Sequence, residues 1–376
     1  MSNVNIFDNQ IKLKDVEELL ILGMNINLPV FLLSGPGRGK SSIVKQFADK
    51  YFNGKMQTLI LSRIESSDLA LPIPTKNDDG TYSTHFAISE LLPKEPCVLF
   101  LDEFSQSSPS CQCIIQQLLL EGSFMHYELP KGTYVVLAGN RTQDNANSGE
   151  VLSTIANRCI MCEIKEDEQE FLEYAEEQNL HPVVIDYVRR YPGNLFGLQD
   201  EEGHPCFTTP RSMERTSDIM YQYDKGIVSE SVLATAIEGV LGKNVYSKIK
   251  VSMEMVNYLP RPQDVLEGKA KGLDLNRVGL AGVHTLITGC RVLLKNKLQD
   301  DLETGLVYSG NFLNYLADNI IDEQELLCSV ADNLVNMAAE LNVPFVKIII
   351  AAKPAYVKMM QANIQFESRI QKLLAN

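Results

Sequence analysis

Eight consecutive residues carry the most specific chemistry in this chain: Ser34-Gly35-Pro36-Gly37-Arg38-Gly39-Lys40-Ser41. They follow an apolar run, Pro29–Leu33, and open Lys40–Tyr51, whose spacing predicts a helix. Strand, glycine-rich turn and helix in that order make a phosphate cradle. Glycines let backbone N–H groups turn inward around phosphate oxygens, and the helix N-terminus adds partial positive charge. Lys40 is placed to meet the β- and γ-phosphates as a point charge, and the Ser41 hydroxyl to ligate Mg²⁺, with Ser42 completing the segment. The pattern G-x-x-x-x-G-K-[ST] has one departure, Ser34 in place of its first glycine, and serine is small enough to stand there.

Further along, Val98-Leu99-Phe100-Leu101 runs into two carboxylates, Asp102 and Glu103. In a parallel sheet the carboxyl end of that strand faces the same crevice as the cradle. Asp102 then serves the Mg²⁺ shell, and Glu103 orients or deprotonates an attacking water. Another apolar run, Tyr134–Ala138, ends in Gly139-Asn140-Arg141. Asn140 is a neutral group that can position the water or the γ-phosphate without competing for the metal. Taken alone an Asn there marks only a turn.

The elements that must hold these groups are legible as alternation. Five apolar runs predict buried strands: Pro29–Leu33, Thr58–Leu61, Val98–Leu101, Tyr134–Ala138 and Cys159–Ile164. Val16–Leu22, Lys40–Tyr51 and Ser110–Glu121 predict helices between them, so the first 165 residues read as an α/β domain with a mainly parallel sheet. Strand signals then fade. Asp167–Gln178, Val183–Tyr191, Arg211–Tyr223 and Ile227–Val240 read as helices of a lid over 166–259, with a Gly- and Pro-rich acidic loop from Gly193 to Pro210. After Leu259-Pro260-Arg261-Pro262 a helical C-terminal region, 260–376, shows helical spacing over Val278–Leu294, Phe312–Asp318, Glu323–Glu340 and Pro344–Ala352.

Composition narrows the partners. The 376 residues are 45% apolar and 22% charged, enough to bury a sizeable core. Against 48 acidic side chains stand 34 Lys and Arg, a net charge of −14 that repels nucleic-acid phosphate and anionic lipid. No apolar run reaches the ~18–20 residues of a membrane span, and the polar N-terminus has no secretory pattern. Eight scattered cysteines read as reduced thiols of a cytoplasmic protein.

The ordered set of cradle, Asp102-Glu103 and Asn140 resembles the AAA+ ATPases. Within them the chain is most similar to the MoxR family, through Ser67-Asp68-Leu69, Leu71-Pro72-Ile73-Pro74, Leu101–Phe104 and Leu129-Pro130 ahead of Tyr134–Arg141. His181–Ile185, Phe207–Ser212 with Glu214-Arg215, and Leu259-Pro260 resemble the branch found beside a VWA-type, metallopeptidase-like partner. The likeness is dense to about residue 262 and thinner afterwards. It implies a five-stranded sheet of order 5-1-4-3-2, a helical lid, and a ring, most often a hexamer, with ATP·Mg²⁺ between subunits. It also implies ATP hydrolysis that remodels or activates a partner protein with a VWA domain. Arg158, just before the fifth strand, matches the arginine that reaches the neighbouring subunit's γ-phosphate. Arg211, in Thr209-Pro210-Arg211, matches the lid arginine. Two inserts, near Ser67–Ser89 and Ser123–Thr133, would form hairpins facing a ring channel, with Tyr82, His85, Phe86 and His126 as contact residues or as ordinary packing. Rival readings are a nucleotide-dependent switch with little turnover and a nucleic-acid-linked AAA+ motor.

Other signals are weaker. Cys159-x-x-Cys162 with His204 and Cys206 has metal-like spacing, but the first pair sits in a strand where buried cysteines are common. The acidic run Glu166–Glu177 reads as a solvated helix face, and the apolar spacing after Met337 as core.

Overall fold

In the computed structural model, residues 9–141, 155, 157–196, 206–243 and 245–362 are described. Ten strands occur among them: β1 (Gln10–Ile11), β2 (Val30–Leu33), β3 (Met56–Ile60), β4 (Ala70–Lys76), β5 (Tyr82–Ile88), β6 (Val98–Asp102), β7 (Ser123–Phe124), β8 (Tyr127–Glu128), β9 (Tyr134–Gly139) and β10 (Ile160–Ile164). The predicted runs pair in parallel in the order β10-β2-β9-β6-β3, which is the expected 5-1-4-3-2. A sixth strand, β1, adds outside β10. Only two residues long, it carries no apolar run that could have announced it.

Period-two alternation builds the layers. Val30, Leu32, Val98, Phe100, Tyr134 and Val136 face one way, where Val16 and Leu20 of helix Val16–Asn25 and Val44 and Phe47 of helix Lys40–Tyr51 cover them. Phe31, Leu33, Leu99, Leu101, Val135 and Leu137 face the other way, against Cys111, Ile115 and Leu118 of helix Pro109–Glu121. Both faces of the central strands β2, β6 and β9 are buried, so these three are almost wholly apolar. The register places Leu33 beside Gly139 and Leu101 beside Leu137. The carboxyl ends of β2, β6 and β9 therefore emerge together, carrying the cradle, Asp102 and Asn140.

Both expected hairpins are present. β4 and β5 pair antiparallel from Ala70↔Ile88 to Lys76↔Tyr82 around a turn at residues 77–81, and β7 pairs with β8. Phe86 packs against the core, whereas Tyr82 is 71% exposed.

Contacts divide the chain into two units. One holds residues 1–170 with 209–212, and the other 171–208 with 213–376. Described elements of the second unit are helical. Pro182–Arg190, Glu230–Leu241 and Gln324–Glu340 fall close to their predicted limits. The predicted Val278–Leu294 extends to Leu275–Asp300 and is interrupted at Gly279 (φ 66°, ψ 175°), and Phe312–Asp318 extends to Leu302–Asn319. Helices Val245–Asn257 and Lys353–Ala362 were not anticipated. Of the loop expected at Gly193–Pro210, residues 197–205 lie outside the described ones. Among the described residues Leu275–Asp300 alone has the length and mean hydropathy of a membrane span, and half of its most apolar window is buried within its own unit.

His181 caps helix Pro182–Arg190. Its Nδ1 accepts from the Val183 N–H at 3.2 Å, so the proton sits on Nε2, which faces Asp224 Oδ2 at 2.9 Å. Burial holds the imidazole below its ordinary 6.5, against the opposing pull of Asp224. A group that binds its proton less readily when folded stabilises the fold above the unfolded pKa and ceases to as pH falls. Denaturant midpoints are therefore expected to be constant above about pH 6.5 and to decline below it. The decline should be shallower in His181→Asn, which keeps an acceptor without a titrating ring.

Candidate active site

The cradle is shaped around a buried ammonium. Lys40, 8% exposed, opens its helix and turns its Nζ back into the loop. There it donates to Ser34 Oγ at 2.9 Å, the Ser34 carbonyl at 3.0 Å, the Gly35 carbonyl at 3.2 Å and Asn140 Oδ1 at 3.2 Å. Ser34, fully buried, thus contributes a hydroxyl where the motif has glycine. Gly37 and Gly39 take φ of +71° and +85°, which a side chain would strain. A Cβ at Gly37 would lie 3.1 Å from Thr209 Oγ1 and 3.3 Å from Arg211 Cβ. Arg211 is therefore at the cradle, within the 209–212 segment that belongs to the first unit.

The carboxylates stand beside it. Ser41 Oγ donates to Asp102 Oδ2 at 3.2 Å, bringing together the hydroxyl and carboxylate expected to serve Mg²⁺. That pairing of two hard oxygen ligands next to a phosphate cradle fits the cation. Glu103 adopts φ 55°, ψ 33°, a left-handed conformation costing on the order of 1–2 kcal/mol for a side-chain-bearing residue. Its N–H donates to Asp102 Oδ1 at 2.9 Å, and its own Oε2 accepts from Ser62 Oγ. Strain of that kind at a strand end aims a side chain out of the sheet.

Asn140 is tied to the β6 end as well. Its N–H donates to Ser105 Oγ at 3.0 Å, and that hydroxyl reaches the Asn140 carbonyl at 3.3 Å. Ser34, Lys40, Ser41, Asp102, Glu103 and Asn140 form one cluster, with Arg211 at its margin. Arg158 does not join it. Ile160, two residues later, pairs with Val30, whereas the cradle follows Leu33 at the other end of β2. Arg158 therefore lies at the opposite edge of the sheet.

Sequence reading missed Ser62 and Ser105, and an ion-pair network across the strand ends. Arg141 reaches Glu163 Oε1 at 2.9 Å and Glu166 Oε1 at 2.8 Å, and Arg38 reaches Glu166 Oε1 at 3.1 Å. Glu166, expected on a solvated face, is partly enclosed by these arginines. The cysteine pair behaves as packing: burial pushes the thiols of Cys159 and Cys162 up to about 12, where they stay protonated. Among the described residues no group of three or more His, Cys, Asp or Glu suits a metal, and His204 lies outside them.

A six-stranded parallel sheet with this loop and these strand ends is the core of the P-loop AAA+ fold. Residues 29–157 match the family described as AAA domain (dynein-related subfamily). No curated protein matches the chain. Similar solved structures include the RuvB Holliday junction branch migration motor of Thermotoga maritima, 14% identical over 80% of this chain and 88% of that one, with a TM-score of 0.38. NtrX from Brucella abortus in complex with ATP is 9% identical over 75% and 69%, also at 0.38. A putative ATPase from Cytophaga hutchinsonii is 10% identical over 81% and 76%, at 0.33. At these identities and scores nothing further rests on the likeness.

Replacing Lys40 by Ala removes the cation on which the loop converges. A charge-assisted contact of this kind contributes about 1.5–3 kcal/mol, so ATP affinity measured by calorimetry is expected to fall by roughly ten-fold or more.

Proposed function

We propose that the chain hydrolyses ATP as one subunit of a ring and uses the cycle to remodel or activate a partner protein. The observation that carries this reading is the convergence of Lys40, the Ser41–Asp102 pair, Glu103 and Asn140 at one edge of the sheet. Lys40 and the backbone of Gly35–Gly39 bind the phosphates. Ser41 and Asp102 hold Mg²⁺, which when bound neutralises charge on the phosphate oxygens. Glu103 takes the water's proton, and Asn140, already in contact with Lys40, fixes the γ-phosphate end of the pocket. The work is positioning and charge stabilisation.

Arg158 supplies the ring. Its place at the far edge of the sheet puts it out of reach of its own cradle, so an arginine contribution to catalysis would come from a neighbour. Such arginines raise rates by roughly 10³–10⁵. The motifs of the MoxR type and the branch associated with VWA proteins support a protein client of that class, acting in the cytoplasm. The net charge of −14 argues against a nucleic-acid track.

The test is ATPase rate against protein concentration for wild type, Arg158→Ala and Glu103→Gln, at matched size-exclusion profiles. Specific activity is expected to rise with assembly in wild type. It should fall by at least ~10³ in Arg158→Ala, and to background in Glu103→Gln, while both variants keep ATP binding. A rate near background in wild type, with tight ATP binding, would replace hydrolysis with a nucleotide-dependent switch.

A further inference from the structure

The phosphate-wrapping loop contains a second cation, Arg38, and its guanidinium is turned back over the first glycine of the loop. A Cβ at Gly35 would stand 3.2 Å from Arg38 Nε, 3.5 Å from its second terminal nitrogen and 3.5 Å from Arg141. Two guanidinium groups thus flank Gly35. One carboxylate oxygen, Glu166 Oε1, accepts from both, at 3.1 Å from Arg38 and 2.8 Å from Arg141. Arg141 has a further anchor in Glu163 Oε1 at 2.9 Å, and that oxygen also accepts from Gln10 Nε2 at 3.4 Å.

The two arginines are not equivalent. Arg141 is held by two carboxylates from β10 and the chain just after it. Arg38 pairs with Glu166 and belongs to the loop whose backbone is built for phosphate. If Arg38 left, Glu166 would keep Arg141, so no buried carboxylate would be stranded. The usual penalty for breaking one arm of an enclosed ion pair is therefore small here. Glu166 is also 29% exposed, which lets water replace the lost contact.

We propose that Glu166 competes with nucleotide phosphate for the Arg38 guanidinium. Glu166 thereby tunes nucleotide affinity from within the chain. The inference rests on reading the cradle as an ATP site and assigns a regulator to it. Phosphate offers bidentate, doubly charged acceptors to an arginine, a stronger partner than a shared carboxylate oxygen, so Arg38 moves to it when ATP·Mg²⁺ binds. The affinity measured is the intrinsic one reduced by the cost of releasing Glu166.

Competition predicts opposite signs for the two partners, whereas a merely structural salt bridge predicts the same sign. ATP·Mg²⁺ affinity of the full chain is measured by calorimetry, with thermal unfolding midpoints as a folding control. Arg38→Ala is expected to weaken binding by about ten-fold, and Arg38→Lys to recover part of the loss. Glu166→Gln is expected to tighten binding by about two- to five-fold, the cost of a partly exposed ion pair. In the double variant that tightening disappears, because Glu166 acts through Arg38.

Weaker binding in Glu166→Gln with an unchanged unfolding midpoint would overturn the proposal and leave the pair as a prop for the loop. Equal tightening with and without Arg38 would also overturn it, because Glu166 would then act through its charge alone. A wild type that fails to bind ATP would bring down the ATP-site reading itself. That result is distinct from either wrong-signed variant of a binding-competent protein.

Discussion

A buried ammonium is the constraint from which the site follows. Lys40 is nearly enclosed, and a charge removed from water must be met by acceptors or it will not stay charged. Oxygen partners come from Ser34, Gly35 and Asn140, at two adjacent strand ends that a parallel sheet brings side by side. Satisfying Lys40 therefore closes the loop on itself and draws β9 to β2. Ser34 has a role here that glycine could not fill, since its hydroxyl accepts from Lys40 at 2.9 Å. The departure from the motif adds an oxygen partner for the lysine.

The same edge of the sheet carries opposite charge in a graded arrangement. Asp102 and Glu103 lie on one side of Lys40, and Glu163 and Glu166 on the other, with Arg38 and Arg141 facing the second pair. Two acids are left for metal and water, and two are neutralised by arginines. That partition gives a local field suited to a multiply charged anion inside a chain whose net charge repels polyanions in general.

Much of this was legible from sequence because it is local or periodic. The cradle, the acids after Val98–Leu101 and the Asn after Tyr134–Ala138 are each defined by a strand and the residue that follows it. Strand order came from the resemblance, and the register then fixed which groups meet. What escaped reading is long-range or short. Ser62 is one hydroxyl in a turn after β3, and its partner Glu103 is forty-one residues away. Arg141 looked like the end of a turn until pairing of β10 with β2 brought Glu163 across. β1 has two residues and depends on its neighbour for existence. Helix Val245–Asn257 holds several β-branched residues, and of its side chains Ile249 and Ser252 are buried, so tertiary packing overrides a weak local preference.

The helical unit shows the same logic applied without a ligand. Its apolar residues fall into two clusters, one around Tyr187, Met213 and Ile237 and one around Leu286, Phe312 and Leu334. A polar seam joins them. Glu176, 7% exposed, accepts from Arg189, from Thr288 Oγ1 at 2.9 Å and from Arg291 at 2.5 Å, tying three helices together. Asp186, fully buried, receives Arg190 through two bonds of 3.0 Å. Burial lowers the Arg189 pKa, yet arginine remains charged under any ordinary condition, so the seam cannot be dissolved by modest changes of pH. Removing either acid would strand partly buried guanidinium groups, which is costly, whereas the intact seam fixes which helix faces meet. The helices are thus held in a defined mutual arrangement by charges that apolar packing alone would leave free to slide.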